Sequence, residues 1–166
     1  MRLIRTWPVR GALAGTAGTT AMTLGYAAIR TLRGGARTPL DYDDSLVPGE
    51  IVAKLLRLRN PGQAVEKDLG EGLRWSYGPA FGLLHVGLRS KLDEPLASAI
   101  FGATLMSATL SLFPLLGHTP PPWRWGPKAL ATSVVTHVAY VATAAVVDDR
   151  LSTPRPPRTA LSDAEV

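Results

Sequence analysis

Long stretches of this chain carry no charge, and charged or proline-rich segments separate them. The first, GALAGTAGTTAMTLGYAAI, fills positions 11–29 between Arg10 and Arg30. Wound as a helix it is roughly 28 Å long, close to the hydrocarbon thickness of a bilayer. Its residues sort into three faces. Gly11, Gly15, Gly18 and Gly25, with Met22, form one stripe. Thr16, Thr19, Thr20 and Thr23 form a second, and Leu13, Leu24, Ala17, Ala21 and Ala28 lie on the third. Glycine weakens a helix in water, but in lipid a glycine stripe admits a neighbouring helix closely, and threonines hydrogen-bond across or back to their own backbone. The pattern predicts a membrane span packed through its glycines.

Three further runs repeat the theme. A second span is predicted over 73–90, where Gly78, Gly82, His85 and Arg89 share a face, so that Gly78 and Gly82 are packing positions beside the histidine. A third, over 95–117, has Ser98, Gly102 and Thr109 on one side and Thr104, Ser107 and Ser111 on another, with Pro114 placed to kink or end it. The fourth, over 129–147, gathers Thr132, Ser133, Thr136, His137, Tyr140 and Thr143 on one polar side that must look inward.

Between the first two runs lies a polar loop, 30–72, containing the acidic DYDD of 41–44. Within it Pro48 suits a first helical turn, and Ile51, Val52, Leu55 and Leu58 recur opposite Glu50, Lys54 and Arg57. This spacing predicts a short amphipathic helix on the membrane surface or capping the fold. Asn60-Pro61-Gly62 breaks it, and a new helix begins with Val65, Leu69 and Leu73 on one face. The turn HTPPPWRWGPK sets Trp123 and Trp125 around Arg124, a composition that belongs at a membrane interface. From Asp148 the charged, proline-rich tail 148–166 is expected to be disordered. The predicted fold is all-α, a four-helix transmembrane bundle with a short amphipathic interfacial helix between spans 1 and 2, and 1–147 form one integral membrane domain.

Average composition, 46% hydrophobic and 19% charged, hides this segregation. The net charge of +5 comes from arginines beside the apolar runs, which points to anionic lipid headgroups as partners, not to nucleic acid. A signal-peptide reading of the first run is disfavoured by its length and by the uncharged runs that follow. The chain has no cysteine, so thiolate chemistry is excluded. His85 and His137 are the ionisable groups within the spans and, with Ser133, Thr136 and Tyr140, form the candidate intramembrane polar site. The simpler reading, preferred here, has each histidine neutral and bonded to a hydroxyl or carbonyl of a neighbouring helix. Depths differing by roughly 10 Å argue against a shared metal. Asp41, Asp43 and Asp44 lack the glycine and distal glutamate of a calcium loop. No nucleophile elbow or phosphate loop occurs. No catalytic residue, cofactor or metal is expected.

Taken together, GALAGTAGTTAM, VPGEIVAKLL, LRWSYGPAFGLLHVGL, LFPLLGHTPPPW and KALATSVVTHVAYVATAAV resemble the YagU-like family of small bacterial inner-membrane proteins over residues 10–147. The resemblance implies a multi-pass architecture in the bacterial inner membrane and adds no catalytic residues. Relatives often carry an acidic residue after the tryptophan of the proline-rich turn, where this chain has Arg124. The functional expectation is a non-enzymatic scaffold or accessory subunit that packs against a second copy or another membrane protein through a glycine stripe in excess of internal needs. The alternative is a small transporter or proton-conducting channel lined by the polar face of the fourth helix. An even number of spans puts both termini on one side; basic residues divide almost equally between the two sides, and an arginine-rich segment before the first span, being hard to translocate, tips the expectation toward cytoplasmic termini.

Overall fold

The computed structural model describes residues 6–33, 47–59, 62–117 and 119–152. The regular structure among them is helical: α1 (Trp7–Arg33), α2 (Val47–Leu55), α3 (Gln63–Arg89), α4 (Leu96–Leu116), a 3₁₀ turn at Pro122–Arg124, and α5 (Pro127–Leu151). Their limits follow local chemistry. Gly62 is extended and its carbonyl accepts from Val65 and Glu66, opening α3. Pro127 starts α5, where a missing N–H leaves no gap in the hydrogen-bond ladder. Leu116 ends α4 two residues beyond Pro114. The acidic 41–44 segment and residues 153–166 lie outside the described residues.

The four long helices pack side by side. α1 lies between α3 and α5, α4 closes against α5 and α3, and α1 and α4 face one another with almost no contact. The seam between α1 and α3 is the tightest place in the fold. A Cβ on Gly15 would strike the Gly78 carbonyl and come within 2.8 Å of Pro79 Cα and 2.9 Å of Gly82 Cα. One on Gly82 would run into the backbone of Gly11 and Gly15, and one on Gly78 into the Thr19 hydroxyl. Farther along α1, Gly18 lies flat against Tyr140 and Gly25 looks onto Thr136 of α5. The glycine stripe expected to serve an external partner is therefore occupied internally, by α3 at one end and α5 at the other.

Polar side chains are well represented inside and large apolar ones outside. Among the largest fully buried side chains are His85, Thr19, Thr136 and Ser133, whereas Leu24 is 64% and Leu115 74% exposed. α4 carries no charge, has leucines on every side, and buries only Ala97, Phe101 and Thr109. Ser98, Gly102 and Thr109 look inward, and Thr104, Ser107 and Ser111 are exposed, Thr104 returning its hydroxyl to the Ile100 carbonyl.

Several expectations need correction. Among the described residues only α4 and α5 are both long and apolar enough to cross a membrane, not four helices. α1 falls short because glycine and threonine carry little apolar surface, and α3 because its first half holds Glu66, Lys67, Asp68, Glu71 and Arg74. The amphipathic α2 buries Val47, Ile51 and Ala53 while Leu55 and Leu58 point outward, since Gly49 presses against the Glu66 carbonyl of α3 and turns the helix about that contact. α2 thus caps the helices. Trp125 is buried, donating to the Pro120 carbonyl at 2.7 Å, and Trp123 alone of the pair faces outward. Finally, the charged tail does not begin at Asp148. α5 continues through Leu151 because Asp148 has buried partners waiting for it.

A paired substitution checks the seam. Alanine favours a helix over glycine by roughly 1 kcal/mol, so Gly72→Ala, where nothing lies within 4 Å, is expected to be neutral or stabilising. Gly15→Ala is expected to destabilise by about 1–3 kcal/mol through overpacking against backbone that cannot yield. Unfolding midpoints followed by circular dichroism in mild detergent separate the two.

Candidate functional site

Four helix ends converge on one carboxylate. Asp148, near the end of α5, has a side chain only 5% exposed. One oxygen accepts from Arg10 Nε of α1 at 2.8 Å and the other from an Arg89 N–H at the end of α3 at 2.6 Å. Arg89 also donates to the Ala145 carbonyl, to Asp149 at 2.5 Å, and to Glu94, in the turn before α4, at 2.5 Å. The guanidinium fork suits this role, since its fixed N–H donors can face three carboxylates at once.

His85 extends the network inward. Ser98 has one hydroxyl proton and gives it to Glu94 at 2.7 Å, so at 3.0 Å it accepts from His85 Nε2. That polarity fixes the tautomer and leaves Nδ1 as a buried acceptor with no protein partner. The ring stacks on Phe101 at 4.7 Å. A nucleophilic serine needs the reverse arrangement, with the imidazole taking the serine proton. Here the carboxylate sits on the serine side, and the group is built to hold helices α3 and α4 together.

The other predicted polar residues lie on α5. His137 donates from Nδ1 to the Ser133 carbonyl at 2.7 Å and accepts from Thr109 of α4 at 3.0 Å, so both ring nitrogens are engaged. Thr136 returns its hydroxyl to the Thr132 and Ser133 carbonyls. Tyr140 crosses to α3 and donates to the Gly78 carbonyl at 2.7 Å. Ser133, Thr136 and Tyr140 are buried with His137 beside them, but His85 stands apart, behind Phe101. Among the described residues no group of three or more His, Asp or Glu is placed to hold a metal.

Sequence reasoning missed Asp148, Arg10 and Glu94. A signal was present: with helices alternating in direction, Arg10, Arg89, Glu94 and Asp148 flank the four uncharged runs at the same end, two cations against two anions. A second feature has no linear signature. Between α1 and α4, beneath α2, lies a cavity of about 290 Å³ whose wall includes Arg74, His137 and Tyr140.

No protein family, curated protein or solved structure matches this chain in comparison.

Removing the shared carboxylate is expected to weaken the fold far more than removing its exposed neighbour. Asp148→Ala strands Arg10, takes from Arg89 the most buried of its three carboxylates, and should destabilise by about 3–5 kcal/mol. Asp149, 64% exposed, should matter by about 1 kcal/mol or less when changed to Asn. Chemical unfolding of the two variants in detergent, beside the parent, gives the comparison.

Proposed function

We propose that this chain is a polytopic membrane protein in which α1, α3, α4 and α5 all cross the bilayer as a four-helix transmembrane bundle, and that it works without catalysis, as a packing scaffold or accessory subunit. One observation carries the reading: hydroxyls, imidazoles and an ion network are inside, and leucine and valine side chains are outside on all four long helices. Water would penalise that surface, whereas lipid solvates it and leaves polar groups no choice but to pair within the protein. Low hydropathy in α1 fits this picture, because its glycines and threonines are turned toward neighbouring helices. The charged first half of α3 then projects beyond the bilayer and carries α2.

Likeness to the YagU-like family supports the same multi-pass arrangement in a bacterial inner membrane. The pairing of Arg10 with Asp148 brings the start of α1 beside the end of α5 and favours both termini on one side, which we place in the cytoplasm. With the glycines of α1 engaged internally, the surface left for a partner is the outer face of α4, where Ala103, Ser107 and Ser111 repeat at helical spacing. No observation favours the channel reading to the same degree. His137, Thr136 and Tyr140 already spend their protons on protein acceptors.

Extraction decides the first part: the full-length protein is expected to stay with the membrane through an alkaline carbonate wash and to leave only with detergent, and release by carbonate would refute integration. For assembly, Ser107→Leu with Ser111→Leu is expected to change the size of the detergent-purified particle without altering its melting temperature. A particle of unchanged size would remove the α4 face as the contact.

A further inference from the structure

α2 ends in a left-handed turn of the kind that glycine normally makes, and this chain puts arginine there. The Leu58 N–H bonds to the Ala53 carbonyl and the Arg57 N–H to the Lys54 carbonyl, both at 3.0 Å. Such a pair of bonds closes a helix when the residue between turns left-handed. That residue is Arg57, with φ at 55°, and among the described residues it is the one non-glycine with a positive φ. An L side chain in this conformation crowds its own backbone, so the turn would close more readily on glycine. A long cationic side chain kept against local strain points to a use for that side chain.

Its neighbours are as unusual. Leu55 and Leu56 are 69% and 59% exposed, beside the exposed Lys54, Arg57 and Arg59. Leu58 has a structural task, because a hydrophobic residue at its position packs back on the turn it closes, but Leu55 and Leu56 are turned away from the fold. Neither Arg57 nor Arg59 meets a carboxylate among the described residues. Solvated charge is the plain reading of two exposed arginines, and it leaves both the bare leucines and the strained turn unexplained.

Place in the fold selects the partner. Lys54 Nζ donates to the Leu116 carbonyl at 3.2 Å, so the end of α2 rests on the last residue of α4, a helix without charge over its 21 residues. Trp123, 82% exposed beside Arg124, stands at the same end and suits the headgroup level. Leucines at that level meet the upper part of acyl chains, and guanidiniums beside them meet phosphate. A soluble polyanion would bind the arginines and gain nothing from the leucines, whereas the same surface of a second copy would set arginine against arginine. We infer that the turn at 54–59 anchors an anionic phospholipid, its phosphate held by Arg57 and Arg59 and its acyl chains against Leu55 and Leu56. The inference rests on the membrane reading, which puts lipid around the end of α4.

Thermal unfolding of the full-length protein in maltoside micelles, followed by circular dichroism, tests the anchor with dioleoyl phosphatidylglycerol, dioleoyl phosphatidylcholine or glycerol phosphate added. The anionic lipid is expected to raise the midpoint saturably by roughly 3–6 °C above the zwitterionic one, the shift for a ligand near ten times its Kd, and glycerol phosphate to leave it unchanged. Arg57→Gly should move two readouts in opposite directions: a higher midpoint without lipid, because the turn relaxes, and loss of most of the lipid response. Arg59→Gln should weaken the response at an unchanged lipid-free midpoint, and it decides if the glycine variant fails to fold. Leu55→Ser with Leu56→Ser should lose the response as well, whereas Arg150→Gln, at the opposite end, should keep it. Equal responses to the two lipids, or a full response in both arginine variants, overturns the proposal. A response matched by glycerol phosphate overturns the choice of lipid. Anionic lipid acting only after Asp41, Asp43 and Asp44 are changed to Asn would give the turn to this chain's own acidic segment, and an Arg57→Gly particle of smaller mass than the parent would give it to a second copy. Carbonate extraction is scored separately, so a protein that stays in the membrane yet shows no lipid preference loses this inference alone.

Discussion

Contact between the main chains of α1 and α3 is the constraint from which the other helix positions follow. Where Gly11 and Gly15 meet Gly78 and Gly82, no side chain separates the helices, and van der Waals contact is made by backbone atoms themselves. So close an approach brings the Thr19 side chain over Gly78 and leaves the Gly78 carbonyl within reach of Tyr140. Tyr140 in turn lies on Gly18, which draws α5 onto the other flank of α1. With both flanks of α1 taken, α4 is left the opposite side, and the cavity is the space that this arrangement does not fill.

The interior is polar yet economical in partners. Thr16, Thr19 and Thr136 return their hydroxyls to carbonyls of their own helices, so they fill space next to a neighbour without requiring anything from it. Cross-helix hydrogen bonds are confined to a few positions, chiefly Tyr140 to α3, His137 to Thr109 and His85 to Ser98. The ion pairs around Asp148 and Arg89 lie together at one end. There Asp148 joins Arg10 to Arg89, which Glu94 and Asp149 also hold, and a buried charge is stabilising only with its partner in place.

Much of this was legible from spacing. Uncharged runs with glycines and threonines on separate stripes gave helices in the right places, and the third run already carried Ser98 and Thr109 on the face that meets the two histidines. Other features were hidden for physical reasons. Asp148 begins a segment whose composition reads as solvated, and its partner Arg10 lies 138 positions away, a distance over which no periodicity speaks. The seam itself was half visible: glycines announce a close approach, but not whether the approaching helix belongs to the same chain. The absence of charge marked α1 and α3 as spans, but neither reaches the mean hydropathy of α4 and α5, because an uncharged residue is not necessarily an apolar one. The cavity could not be read at all, being a property of two helices that fail to touch.

The ion network also bears on the order in which the protein is made. Arg10 and Arg89 leave the ribosome well before Asp148, so for most of synthesis two guanidiniums destined for burial have no counterion from α5. The last helix supplies it. Closure at that end therefore waits until α5 has been made and seated, long after α1 and α3 can meet through their glycines, so the helix pair forms first and the ion network locks it last.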